Sequence, residues 1–107
     1  MEFNVSVVPP GGGEQDYMIT IRGAHYVPRP GEYIVVSQSE MDEEGIVSAF
    51  KVRYAITHAD PVPGSDVHSA RELWIEAEPI FHGHQSKSHR ELCERYNVTE
   101  WFPASGY

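Results

Sequence analysis

The segment 82–93, HGHQSKSHRELC, carries three histidines and the only cysteine of the chain. His89 and Cys93 are four positions apart and would share one face of a helix, while His82 and His84 alternate just before it. Imidazole and thiolate groups are good zinc ligands, and a tetrahedral zinc site needs four ligands, or three and a water molecule for catalysis. These four residues therefore define one hypothesis, a small zinc-binding protein or metal-dependent enzyme, although their spacing matches no specific zinc signature.

The same segment also has a purely structural interpretation. Ser88 and Glu91 stand in the S-x-x-E relation of a helix start, so we predict one helix that begins near Ser88 and is capped at its other end by Asn97. Cys93 is then a small buried hydrophobic residue, and the three histidines are exposed loop and first-turn residues. We favour this interpretation and expect no cofactor, with zinc as the alternative.

Other catalytic patterns have less support in the sequence. Cys93 with His89 or His84 has the residue types of a thiolate and its base, but a cysteine beside Leu92 in a helix is more often a packing residue. The chain has no G-x-S-x-G, no phosphate-binding glycine loop and no H-E-x-x-H. The sequence therefore favours a noncatalytic protein over an enzyme.

The length and charge of the chain narrow the classes of partner. Its 107 residues suffice for one hydrophobic core, so residues 1–107 are predicted to form a single domain. Sixteen acidic residues against eight Lys and Arg give a net charge of −8, which opposes direct binding to nucleic acid or to anionic membranes. A single cysteine forms no intramolecular disulfide, and no stretch has the length of a membrane span, so we expect a cytoplasmic protein.

A binding surface is predicted around segment 59–70, ADPVPGSDVHSA, which is rich in Pro, Gly and short polar residues and is interpreted as a long loop. Such loops on rigid scaffolds commonly carry recognition, and nearby aromatic rings favour a protein partner. The residues predicted to contact that partner are Tyr54, His58, Pro61, Pro63, His68 and Trp74. The oligomeric state is left open.

A third hypothesis comes from the acidic segment 40–45, EMDEEG, which is predicted to form an exposed hairpin tip. Its carboxylates suggest a protein that mimics the charge of nucleic acid and inhibits a nucleic-acid-binding protein. The charge is local, so protein recognition through the loop remains the preferred function.

Alternating apolar and polar residues predict five strands, at 3–8, 16–22, 33–39, 46–58 and 71–80, the third of them at the centre of the sheet. No helix connects successive strands, so we predict a mainly β fold: a small, strongly bent antiparallel sheet or partly open barrel with one C-terminal helix. The pieces PRPGEYI, KVRYAITH and LWIEAEPI resemble small SH3-like or PUA-like barrels at the level of the fold alone, which implies no functional residue. The residues expected in the core are Ile19, Ile21, Val35, Val52, Tyr54, Ile56 and Ile75.

Overall fold

The computed structural model describes residues 1–37 and 46–103 and is mainly β. Its strands β1 to β5 and its helix α1 span Glu2–Val7, Tyr17–Arg22, Tyr33–Ser37, Val47–Pro61, His68–Ile80 and Lys87–Arg95. The five strands form one sheet that curls into a half-barrel, with the helix on the C-terminal side of the sequence, and this confirms the predicted fold class. The predicted acidic hairpin tip, residues 40–45, lies outside the described residues.

The strand order in the sheet is β2-β1-β5-β4-β3. Three of the pairings are antiparallel, but β1 runs parallel to β5, so the sheet is mixed rather than wholly antiparallel. Because β1 pairs with β5, the last strand in sequence takes the centre and β3 becomes an edge strand. The prediction of a central third strand was therefore wrong: Ile34 is buried there, but Val35 is 39% exposed.

The hydrophobic core lies on the inner face of the sheet. It contains Val5 and Val7 of β1, Val52 of β4 and Ile75 of β5, with Leu92 of α1 packed over them. The predicted burial of Val52 and Ile75 is thus confirmed. Other predicted core residues differ: Ile19 and Ile21 are partly buried against this cluster, whereas Val35, Tyr54 and Ile56 are exposed.

A β-bulge at Arg53 explains why Tyr54 and Ile56 are not in the core. Val52 pairs with Ala77 and Tyr54 pairs with Glu76, so Arg53 is an extra residue in β4. An extra residue shifts the alternation of side chains by one position, so the even-numbered side chains, which face the core before the bulge, face the other side of the sheet after it. Tyr54 and Ile56 therefore point to the outer face.

Half of the predicted loop 59–70 is strand, and only residues 62–67 form the turn, which corrects the sequence interpretation. β4 continues to Pro61 and β5 starts at His68, and the Val62 N–H donates to the Val67 carbonyl at 2.9 Å to close the hairpin. The turn itself needs the left-handed backbone of Gly64, whose φ is +74°. The short polar residues fit strands here because this part of the hairpin extends beyond the core and every residue from 54 to 72 is exposed.

Helix α1 is capped by Ser86, not by Ser88 as predicted. The Ser86 Oγ accepts a hydrogen bond from the His89 N–H at 3.2 Å, and Ser86 has the extended backbone of an N-cap residue. At the other end, Asn97 has a φ of +55°, which confirms it as the left-handed residue that ends the helix. Beyond it, the Phe102 N–H donates to the Phe81 carbonyl at 2.8 Å and ties the chain to the body.

The difference between the interior strand β4 and the edge strand β3 is tested by two matched valine substitutions. Val52→Ala should lower the free energy of unfolding by about 2 kcal/mol, because it removes buried methyl groups and leaves a cavity. Val35→Ala, at an exposed edge position, should change it by less than about 0.5 kcal/mol. Urea denaturation measures both, and equal effects at the two sites would contradict the packing described here.

The helix start is tested in the same way by two serines. Ser86→Ala should cost about 1 kcal/mol, because the His89 N–H loses its acceptor. Ser88→Ala, inside the first turn, should be close to neutral because alanine is the better helix former. Thermal unfolding followed by circular dichroism compares them; a larger loss from Ser88→Ala would restore the cap expected from the sequence.

Candidate functional site

The outer face of the sheet contains an open groove of about 360 Å³ over β5. Tyr54, Ile56 and His58 line it from β4, while Trp74 and Glu76 line it from β5. These five side chains share the face because Tyr54 is paired with Glu76, Ile56 with Trp74 and His58 with Glu72 across the two strands. We call this cavity the outer groove; Ser6, Gly13 and Gln15 line it as well.

The segment 9–13, PPGGG, covers the neighbouring part of the outer face. The Gly11 N–H donates to a Glu78 carboxylate oxygen at 3.2 Å. At Gly12, whose φ is +97°, an added Cβ would lie 3.1 Å from the Arg53 guanidinium. The left-handed backbone favours glycine at position 12, and a larger residue there would also push the Arg53 guanidinium aside. The segment holds the Arg53 side chain between itself and the sheet.

Arg53 links the bulge to the carboxylates of β5. Its guanidinium Nη1 lies 3.6 Å from Glu78 Oε2, and its Nε lies 3.9 Å from Glu76 Oε1. All three side chains are less than a third exposed, so water screens these ion pairs less than it would at the open surface. The position that creates the bulge thus also supplies the positive charge at one end of the outer groove.

The outer groove offers an apolar surface with polar groups beside it. Tyr54 is 42% exposed and Ile56 is 43% exposed, and the half-buried Trp74 donates its indole N–H to Glu72 at 3.1 Å. Aromatic rings with polar atoms at their edges are enriched at protein interfaces because they bury apolar area and still satisfy a hydrogen bond. The arrangement is suited to recognising a side chain of a partner protein.

The structure brings three of the six predicted partner residues together. Tyr54, His58 and Trp74 line the outer groove. His68 begins β5 at the other end of the hairpin, six residues from Trp74 and hence about 20 Å away along the strand. The prolines are there too: Pro61 ends β4 and Pro63 is in the turn. The six residues therefore do not form one surface.

Sequence reasoning missed several residues of the outer groove. Ile56 was assigned to the core, and Ser6, Gln15 and Glu76 were not assigned to any site. Ser6 donates its hydroxyl to Gln15 at 2.8 Å, which joins β1 to the segment before β2. Alternation along β1 and β5 does indicate that Ser6 and Glu76 face away from the core, but only the β1–β5 pairing shows that they are neighbours.

The predicted metal ligands occupy two separate arrangements. His89 and Cys93 are both buried on α1, with the Cys93 Sγ 3.6 Å from the His89 Nε2. That nitrogen also lies 2.9 Å from the Ile80 carbonyl and 3.3 Å from the Ala49 N–H. The shorter contact favours an Nε2–H that donates to Ile80, so the ring anchors α1 to the sheet. The expectation that His89 would be an exposed first-turn residue was wrong.

His82 and His84 form the other arrangement, in the turn before α1. The His84 N–H donates to the buried His82 ring at Nδ1, and the two rings have centroids 6.0 Å apart. His84 is exposed, but His82 is only 4% exposed, contrary to the expectation for a loop residue. Within residues 1–37 and 46–103, no group of three or more His, Cys, Asp or Glu side chains is arranged to hold a metal ion. Zinc binding by these residues stays a prediction.

Burial controls the protonation of the three buried groups in this segment. It raises the pKa of the Cys93 thiol to about 11, with a smaller effect from Glu94, so the thiol is neutral and a poor nucleophile at pH 7. It lowers the pKa of His89 and, together with the nearby His84 and His89 rings, that of His82. Protonation of His89 would also bury a second N–H, because Nδ1 has no hydrogen-bond partner among the described residues.

Comparison of the whole chain with models of protein families, with curated proteins and with solved structures finds no match. In the part of the chain that the structure describes, no helix combines the length and the apolar character needed to cross a membrane.

Because His82 and His89 are buried with lowered pKa values, we expect the protein to lose stability in mild acid. Their pKa values are below 6.5 in the folded protein and near 6.5 in the unfolded chain, so in the interval between them the unfolded state binds more protons. The free energy of unfolding should therefore decrease as the pH falls from about 7.5 to about 5.5. Denaturant titrations at several pH values measure this slope, and His89→Asn should make it shallower. A slope unchanged by that substitution would contradict the role given to His89.

Proposed function

We propose that this protein is a noncatalytic binding module that recognises another protein through the outer groove. The observation that carries the proposal is the exposed apolar surface formed by Tyr54, Ile56 and Trp74, three large side chains on one sheet face. Large apolar side chains gathered on an exposed surface are a mark of interaction sites, and Trp and Tyr dominate the energetics of such sites.

The charge of the β4–β5 hairpin, which carries the outer groove, favours a basic partner. The stretch 53–78 contains five carboxylates against two guanidinium groups, and the whole chain carries a net charge of −8. An acidic surface speeds association with basic proteins and opposes nucleic acid, whose phosphates are also negative. A protein that carries exposed Lys or Arg residues is thus the proposed partner. The free, buried Cys93 agrees with a cytoplasmic setting, which is part of the same proposal.

The chemistry of the outer groove supports binding rather than catalysis. Its titratable side chains are Tyr54, His58 and Glu76, and Glu76 is already held beside Arg53. General acid–base catalysis needs a proton donor or acceptor held within hydrogen-bond reach of the reacting atom. Ser6 also lines the groove, and its hydroxyl donates to Gln15 and not to a base. These contacts fix the shape of the surface and activate no nucleophile.

Two exposed tyrosines provide a matched test. Purified wild-type protein, Tyr54→Ala and Tyr26→Ala are each immobilised and exposed to a cell extract, and the proteins that they retain are quantified by mass spectrometry. A retained protein is then purified, and its affinity for each of the three is measured by titration. We expect a partner that binds the wild type and Tyr26→Ala alike, because Tyr26 lies outside the outer groove. Tyr54→Ala should bind it about 30-fold more weakly, since loss of an aromatic anchor costs about 2 kcal/mol. A partner affinity unchanged by Tyr54→Ala would remove the outer groove from the function.

A further inference from the structure

The hairpin of β4 and β5 has an unpaired edge next to the outer groove. β3 pairs with β4 as far as Lys51, and the two residues before β3, Gly31 and Glu32, bond to the Val52 carbonyl and N–H. From Tyr54 to Pro61, β4 pairs only with β5 within the described part of the chain. The backbone groups on the other side of this segment face solvent, which is the arrangement that accepts an added strand.

The direction of each backbone group follows from the ladder. The Ala77 carbonyl accepts from the Val8 N–H on the β1 side, so the backbone N–H and carbonyl of Ala77 point away from β4. Backbone direction alternates along a strand, so the same groups of Ile75 and Leu73 also point away from β4. Ala55 is paired with Ile75 and Thr57 with Leu73, so the backbone N–H and carbonyl groups of Ala55 and Thr57 point away from β5, toward the open edge.

The same reasoning from the hairpin end reaches the next outward residue. The Val62 N–H bonds to the Val67 carbonyl, so the backbone groups of the next pair, Pro61 and His68, point away from each other. The backbone groups of the pair Asp60 and Ser69 then point toward each other. The backbone groups of the pair Ala59 and Ala70 therefore point away from each other again, each toward its own edge of the hairpin. The open edge of β4 thus presents Ala55, Thr57 and Ala59 at alternate positions over about 14 Å.

This edge lacks the features that usually prevent strand addition. From Tyr54 to Ala59 the sequence YAITHA has no Lys, Asp, Glu or Pro, and it is rich in residues that favour strands. The opposite edge, on β5, is protected: it carries Arg71 and Glu72, and the register shift opposite Ala59 leaves Arg71 as an extra residue. The two edges of one hairpin therefore differ, and only the β4 edge is suited to pairing.

We infer that an extended segment of a basic protein partner adds to the sheet along the open edge of β4. This inference rests on the proposed function and names the way in which the partner binds. Backbone hydrogen bonds to Ala55, Thr57 and Ala59 hold the segment, and its alternate side chains lie beside Tyr54, Ile56 and His58 on the outer face. Lys or Arg at those alternate positions is complementary to the net acidic stretch 53–78. A second copy of this chain, with its net charge of −8, is disfavoured by the same electrostatics.

The experiment uses random 12-residue peptides displayed on phage and selected on the wild-type protein. We expect the enriched peptides to alternate apolar residues with Lys or Arg and to contain no central proline. Their affinities are then measured on two matched variants, Ala59→Pro and Ala70→Pro. These alanines face each other, and each directs its N–H to a different edge, so neither proline removes a hydrogen bond within the hairpin. Ala59→Pro should weaken binding at least about tenfold, and Ala70→Pro should leave it within about twofold, because proline blocks only its own edge.

A second measurement needs no variant protein, so it holds even if Ala59→Pro fails to fold. The best peptide is synthesised with N-methyl groups on alternate amides, in both phases. One phase should abolish binding and the other should preserve it, because an added strand directs only every second N–H to the sheet. Equal binding of both phases, or of both proline variants, would overturn the inference, as would the absence of enriched peptides.

The outcomes also separate this inference from the proposed function. Peptides that bind Ala59→Pro normally but lose affinity for Tyr54→Ala would retain the outer groove as the binding site and reject strand addition. Peptides indifferent to both substitutions would reject both proposals. Self-association of the free chain that Ala59→Pro abolishes and Ala70→Pro preserves would assign the edge to a second copy, contrary to the inference. Sedimentation velocity on the three proteins makes that comparison.

Discussion

The extra residue in β4 determines most of what this molecule presents to its surroundings. Before Arg53, alternate side chains of β4 enter the core; after it, the alternation is reversed, and Tyr54 and Ile56 emerge on the outer face. A bulge leaves its residue unpaired and bends the strand, so it persists only where other contacts fix it. Here the Arg53 side chain is held by Glu76, Glu78 and the backbone at Gly12. The exposure of Tyr54 and Ile56 on the outer face, and with it the outer groove, depends on this local arrangement.

The centre of the sheet and the helix are joined by a second constraint at His89. Its ring contacts the Ile80 carbonyl and lies edge-on to Phe50, with ring centroids 5.3 Å apart. Because the Cys93 thiol lies one helical turn away and is fully buried, the helix face that meets the sheet is fixed by two polar side chains as well as by Leu92. Buried polar groups of this kind specify one orientation, since any other would leave them without partners.

Much of the fold could be predicted from the sequence, and the errors have identifiable causes. The period of two gave the five strands and the burial of Val52 and Ile75, because those positions precede the bulge or lie on the regular partner strand. Nothing in the pattern YAITH records an extra residue before it, so Tyr54 and Ile56 were placed in the core. Segment 59–70 has the composition of a loop, but a hairpin that needs no core can be built from short polar residues. The sequence does not decide between Ser86 and Ser88, since both stand near the start of the helix and both have a capping side chain; in the structure the His89 N–H bonds to Ser86.

The candidate site could be predicted in the part formed by residues that are cross-strand neighbours within the β4–β5 hairpin. Tyr54, His58 and Trp74 were identified from aromatic and histidine side chains near segment 59–70, and cross-strand pairing places them together. Ser6 and Gln15 reach the same cavity through the parallel β1–β5 pairing, which joins residues 70 positions apart and leaves no local signal in the sequence.

The two-stranded hairpin from His58 to Glu72 contributes no side chain to the core cluster that Val52 and Ile75 share. Residues could be inserted or deleted in matched pairs near Gly64 without displacing a single core atom, because each added pair extends only the ladder. The reach of the hairpin and the stability of the body are therefore encoded by separate parts of the sequence. Such a division lets the length of the hairpin change while the fold that carries it stays the same.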